Sequence, residues 1–285
     1  MRRAGPAAMG GRMLRRRPPW KLSRSSWVAG LGVLLGALAL LFFASEAAGR
    51  ARAATVAGQV YMPLVARGPT GGPPDLDEEY DTLDVDGEPE TRPAAEHPDL
   101  NLAVRGYQAV DAYAGLVSYG GVTDPHAPQF VGLLGRGPQI RGTYQVSGWD
   151  WGDMARTGPI TTPPVTLITL AAERYEIVRV PDSGRTIGDN YQVLVLYADT
   201  DRITLKYTRE DNVVEGYTLH LERVGVAPDL LDLYREANAA GRDRLPALRA
   251  GQALGWAAGD TIGIAIRDAG TFLDPRSGKD WWQGF

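Results

Sequence analysis

Cysteine is absent from the chain, and histidine occurs only three times in 285 residues. The first absence excludes disulfides, thiolate zinc sites, iron–sulfur clusters and a lipid-modified cysteine. The second leaves little for metal or proton chemistry. His97, His126 and His220 are widely spaced, and no H-E-x-x-H, G-x-S-x-G or phosphate-loop pattern occurs. Acidic residues are missing from the first 26 positions, where Arg2, Arg3, Arg12, Arg15, Arg16, Arg17, Lys21 and Arg24 stand. The net charge of −4 includes this basic block, so the remainder is distinctly acidic. An acidic remainder excludes nucleic acid as a partner, because phosphate binding needs clustered Lys and Arg.

What is present begins with an uncharged run. Residues 27–44, from Trp27 to Ala44, read WVAGLGVLLGALALLFFA. As a helix this run spans roughly 27 Å, close to the thickness of a bilayer core. The basic side stays in the cytoplasm, which places everything after it outside. Ala51-Arg52-Ala53 offers small residues for signal-peptide cleavage, so a retained anchor and a cleaved leader are both open. The first gives a single-pass cell-membrane protein and the second a secreted one. Residues 45–98 read as an extracytoplasmic spacer rich in Pro and Gly, with Asp75, Asp77, Glu78, Glu79, Asp81, Asp84 and Asp86 close together. Such composition buries too little apolar surface to offset the entropy of ordering, which predicts an extended, mobile linker. No EF-hand spacing accompanies the acidic cluster.

Residues 99–285 have the length of one domain, and their patterning is mainly β with one helix. Residues 191–198, YQVLVLYA, form a nearly continuous apolar run, as in a strand buried on both faces. Residues 202–208, RITLKYT, alternate, and Asp199-Thr200-Asp201 between the two runs predicts a hairpin. Residues 165–170, 175–180, 216–222 and 261–266 are four further strand candidates. Leu230, Leu231, Tyr234 and Ala237 recur at helical spacing between Pro228 and Gly241, which predicts a helix over 228–240. Trp281 and Trp282 are expected to cap the domain, with Asp274, Arg276, Lys279 and Asp280 as a charged collar.

The order of these pieces resembles the M23 (lysostaphin-like) zinc metallopeptidase family. Residues 146–152 read VSGWDWG where that family carries H-x-G-x-D-F-G. A buried hairpin follows, then G-Y-T-L-H-L at 216–221, the turn A-G-Q-A-L-G at 250–255, and a strand ending in Ile266-Arg267 before Phe272-Leu273-Asp274-Pro275. The resemblance covers residues 145–275 and implies an antiparallel β-sheet domain with an inserted helix. It also implies a zinc site whose ligands this chain lacks. Val146 stands at the first ligand position, Asp150 at the second, and Thr261 and Gly263 at the two histidines of H-x-H. The remaining family histidine falls on His220 or on Arg209. One carboxylate does not hold a catalytic zinc, which takes about three protein ligands, so no metal, cofactor or catalytic residue is expected.

The residues that remain suggest binding. Trp149 and Trp151 flank Asp150, and in an extended segment both indoles share one face. Flat rings beside a carboxylate can seat a sugar or a peptide; core packing is the alternative use. His220 alternates with Thr218 and Glu222, opposite Leu219 and Leu221, and is expected to face solvent or a groove. Trp149, Asp150, Trp151, Arg209 and His220 therefore form the candidate binding set, for cell-wall glycan, peptide or an envelope protein. A carboxylate hydrolase would instead need Asp150 near Glu210 or Asp211. A purely structural envelope protein would show no groove and two buried indoles.

Overall fold

The computed structural model describes residues 72–285. The apolar segment of residues 27–44 and its cleavage site lie outside them, and no helix among the described residues is long and apolar enough to cross a membrane. The elements run β1 (Asp81–Asp84), α1 (Leu102–Arg105), β2 (Tyr107–Ala109), α2 (Val131–Leu134), β3 (Ile140–Asp150), β4 (Ala155–Pro159), β5 (Leu167–Ala171) and β6 (Ile177–Arg179). They continue with β7 (Val193–Ala198), β8 (Arg202–Lys206), β9 (Tyr217–Glu222), β10 (Val224–Val226), α3 (Pro228–Ala239) and β11 (Arg244–Leu248). Last come β12 (Ala253–Ala257), β13 (Thr261–Asp268), β14 (Thr271–Leu273) and α4 (Gly278–Trp281). The protein is mainly β and antiparallel, as its patterning predicts. Its large sheet has the order β1-β11-β7-β8-β9-β13-β5-β3-β2, with β14 beside β13 and β4 beside β3; β10-β12-β6 form a second sheet.

The hairpin of β7 and β8 turns at Asp199-Thr200-Asp201, where the Asp199 carboxylate accepts the backbone N–H groups of Asp201 and Arg202. Helix α3 buries Leu230, Leu231, Tyr234 and Ala237, the four residues whose spacing announces it. Trp281 and Trp282 are buried, and their indole N–H groups donate to the carbonyls of Asp274 and Pro275. Asp274 pairs with Arg276, and Asp280 with Lys279, so the collar consists of two ion pairs.

The sheet has two unlike faces because side chains alternate along each strand. Ile203, Leu205, Leu219, Leu221, Ile264 and Ile266 point into the main core. The other face carries cross-strand rows: Arg202, Glu222 and Gly263; Thr204, His220 and Ala265; Lys206, Thr218 and Arg267. Leu100 and Leu102, buried in the segment before β2, lie by this polar face. Thr204 donates to the Leu100 carbonyl, and Leu102 joins Val146, Leu167, Ala265 and Phe272 in a second small core.

The expected linker needs correction. Its C-terminal part belongs to the fold, since β1 pairs with β11 at one edge of the large sheet. Leu83 is buried there, and the Tyr80 hydroxyl donates to the Ala253 carbonyl. Three of the seven clustered acidic side chains meet basic partners, Asp84 with Arg244, Asp86 with Arg209 and Glu78 with Arg179. At Asp84 the acidic side chain belongs to an edge strand and faces a basic neighbour rather than lying in a free spacer.

Candidate functional site

The five candidate residues occupy three separate places. Trp149, Asp150 and Trp151 lie at the tip of the β3–β4 hairpin. Extended backbone stops at Asp150, whose carboxylate accepts the N–H groups of Gly152 and Asp153 at 2.7 and 3.2 Å. That carboxylate shapes its own turn. The indoles meet edge to face, 6.5 Å between centroids. Trp151 is 45% exposed, with Arg92 5.0 Å above its ring and His97 5.5 Å to one side. An aromatic surface therefore exists here, buttressed by residues from the supposed spacer.

Arg209 lies elsewhere, after β8, and donates to the Asp84 carbonyl at 2.7 and 3.0 Å. It fastens β1 in place. His220 corrects the expectation of exposure: it is 1% exposed. The small core around Leu102 and Phe272 covers the polar face, so alternation with Thr218 and Glu222 does not bring it to solvent. Thr204 gives its hydroxyl proton to Leu100, so at 3.0 Å from His220 Nδ1 it accepts, which places the imidazole proton on Nδ1. Nε2 is then a lone-pair acceptor without a partner. Burial, together with the positive Arg267 and Arg105, pushes the His220 pKa down to about 3 against the pull of Asp99. The ring is neutral at pH 7.

Two residues along the same face, Lys206 is fully enclosed, and neither its ammonium nor the Thr218 hydroxyl finds a partner. Burial lowers its pKa to about 8, although Glu210 lies near enough to oppose the shift. A lysine depressed from 10.5 costs stability below pH 8, and the cost disappears as pH rises past 10.5. Lys206→Met is accordingly expected to raise unfolding free energy at pH 7 by about 3 kcal/mol. The gain should shrink to nothing near pH 11; a pH-independent gain in urea titrations would remove the electrostatic explanation.

The positions matching the family's zinc ligands are not brought together. Val146 is buried in the middle of β3. Thr261 is level with Ala171, and Leu170 of β5 is level with Ile140 of β3. Asp150 lies about ten residues farther along β3, roughly 30 Å from that level. Thr261 accepts instead from Arg223, 2.7 Å away. Asp150 is also apart from Glu210 and Asp211, which follow β8: β9, β13 and β5 intervene between β8 and β3, so four spacings of about 4.8 Å, roughly 19 Å in all, separate them. Asp211 is held by Arg242 in a buried bidentate pair. Among the described residues no group of three or more His, Asp or Glu side chains is arranged to hold a metal ion.

Two features do not emerge from sequence motifs. The first is a buried ionic cluster. Asp99 accepts from Arg105 at 2.5 Å and from Arg267 at 2.7 Å, and both guanidiniums lie over the Phe272 ring, 5.7 and 4.6 Å from its centroid. Burial raises the Asp99 pKa, but Arg267 and Arg105 outweigh it and hold the carboxyl below its usual range. The second is an open cleft of about 430 Å³ on the far side of Phe272, lined by Tyr119, Pro163, Pro164, Phe272 and Trp281, with Asp274 and Asp280 among its polar groups. The FLDP stretch supplies part of its lining, but nothing in its spacing reveals that Thr162-Pro163-Pro164 joins it there. No protein-family model, curated protein or solved structure matches the chain.

Proposed function

We propose that this chain is an exported or membrane-anchored, non-catalytic module of lysostaphin-like architecture. It is tethered or led out through residues 27–44 and binds cell-wall glycan, peptide or an envelope protein. The observation that carries this reading is the cleft at Phe272 and Trp281. Its volume falls in the range of ligand sites, and its walls are aromatic and proline-rich. Both carboxylates in its lining are committed to ion pairs, Asp274 to Arg276 and Asp280 to Lys279, and so are poor candidates for proton transfer. The half-exposed Trp151 adds a second aromatic surface. A cleft and an exposed indole speak against a purely structural role, and the dispersal of Asp150, Glu210 and Asp211 against a carboxylate hydrolase.

The test is zinc content and affinity of the purified chain, by elemental analysis and calorimetry, with binding of peptidoglycan fragments and peptides measured alongside. The expected result is no stoichiometric zinc, no heat on adding it, and saturable binding of a glycan or peptide. One zinc per chain, lost in Asp150→Ala or His220→Ala, would make a hydrolase the better reading.

A further inference from the structure

The turn between β13 and β14 consists of Ala269 and Gly270, both with positive φ, at 44° and 80°. In a two-residue hairpin of this kind the flanking pair, Asp268 and Thr271, exchanges both backbone hydrogen bonds, and the next pair, Arg267 and Phe272, exchanges none. The N–H and C=O of Phe272 therefore point away from β13, toward the cleft that Thr271, Phe272 and Leu273 line. Among the described residues no turn, loop or side-chain hydrogen bond takes up either group, although Phe272 is only 3% exposed. Enclosed peptide groups almost always have partners. The outer edge of β14 is thus an unfilled strand position inside a ready-made apolar slot.

Charge narrows what would fill it. Of the 34 acidic residues only Glu46 precedes Gly72, whereas 11 of the 30 basic residues do, so the described part carries a formal charge of −14. In the cleft itself Asp274 and Asp280 are already paired with Arg276 and Lys279, so the attraction comes from the net charge of the surrounding surface.

We propose that the cleft takes up an extended peptide with apolar side chains and basic flanks, which adds as a strand to the outer edge of β14 through the backbone of Phe272. This deepens the binding-module reading and rests on it. Strand addition supplies main-chain hydrogen bonds, while alternate side chains enter the slot between Trp281 and Pro163-Pro164. The acidic surface draws the basic flanks and makes binding weaken with salt.

The probe is an end-blocked seven-residue peptide of alternating lysine and valine, titrated into the full chain in neutral detergent. Saturable binding is expected, with hydrogen exchange at the Phe272 amide slowed at least tenfold. Methylating the valine nitrogens should weaken binding at least tenfold, and so should Thr271→Trp, which fills the slot from an exposed position. The methylated peptide needs no protein variant, so the test survives if Thr271→Trp fails to fold. Equal binding of parent and methylated peptides would reveal mere attraction of a polycation and overturn strand addition. Binding of a peptidoglycan fragment without any peptide binding would overturn it too, while leaving the module reading intact. Binding of neither ligand would overturn both.

Discussion

The chain is expected to lose stability steeply between pH 4.5 and 3, and a His220→Gln variant to lose much less. His220 is buried and neutral in the folded state, with a pKa of about 3 against an ordinary 6.5. Below pH 6.5 the unfolded chain takes up a proton that the folded chain refuses, so stability falls as pH falls through that window. At about 1.4 kcal/mol per pH unit the full span is worth about 5 kcal/mol. Glu222, on the same face of β9, acts with the opposite sign. Burial raises its pKa to about 7 from 4.5, so the folded chain holds a proton that the unfolded chain releases, and stability falls as pH rises through that range. The two slopes nearly cancel between pH 4.5 and 6.5; below that the histidine acts together with carboxyls held low by their partners, Asp99 and Glu176 among them. Urea denaturation at half-unit pH steps should show a plateau and then a drop. His220→Gln should remove most of the drop, and Glu222→Gln should turn the plateau into a continuous decline as pH falls from 6.5. Parallel profiles for the parent and both variants would show that neither group is enclosed as described.

Asp99→Ala is expected to destabilise the protein by about 3–5 kcal/mol, because two buried guanidiniums, Arg105 and Arg267, then share no counter-charge. Removing one of the stranded charges should help. Asp99→Ala combined with Arg267→Met is expected to recover part of the loss, giving a coupling that a double-mutant cycle measures directly. Arg267 also donates to the Gly270 carbonyl, so recovery is partial. A loss below about 1 kcal/mol for Asp99→Ala would place the cluster in water rather than in the interior.

Legibility in the sequence followed the physics of each element. Helix α3 and the β7–β8 hairpin declare themselves because periodicity, caps and turn residues agree locally. The long strand β3 does not, since IRGTYQVSGWD mixes polar and apolar residues that are half-buried under different neighbours. Strand β1 is hidden by the carboxylate of Asp84 and, just past it, that of Asp86, whose partners Arg244 and Arg209 are more than a hundred residues away. His220 sits on an alternating strand, and alternation tells which face a residue occupies but not whether that face is covered. The grouping of Trp149 with Trp151 was legible, while the cleft was not, because its walls come from Tyr119, Thr162 to Pro164 and Phe272 to Trp281, joined only by the sheet register. The lysostaphin-like reading remains a proposal resting on the order of motifs and on the antiparallel sheet.

The two outermost strands of the large sheet, β1 and β2, are the first two among the described residues. During synthesis both emerge before either has anything to join: β1 waits for β11, and β2 for β3, whose own partner β5 waits for β13. Assembly is therefore closed last by what is made first. Such non-local pairing makes folding slow and leaves sheet edges open until the C-terminal third arrives. A truncation that removes β11 and everything after it should leave the interior strands with bare borders and a strong tendency to stick to one another. If the chain is exported as proposed, that order is an advantage: no stable barrier to passage forms until the last strands are through.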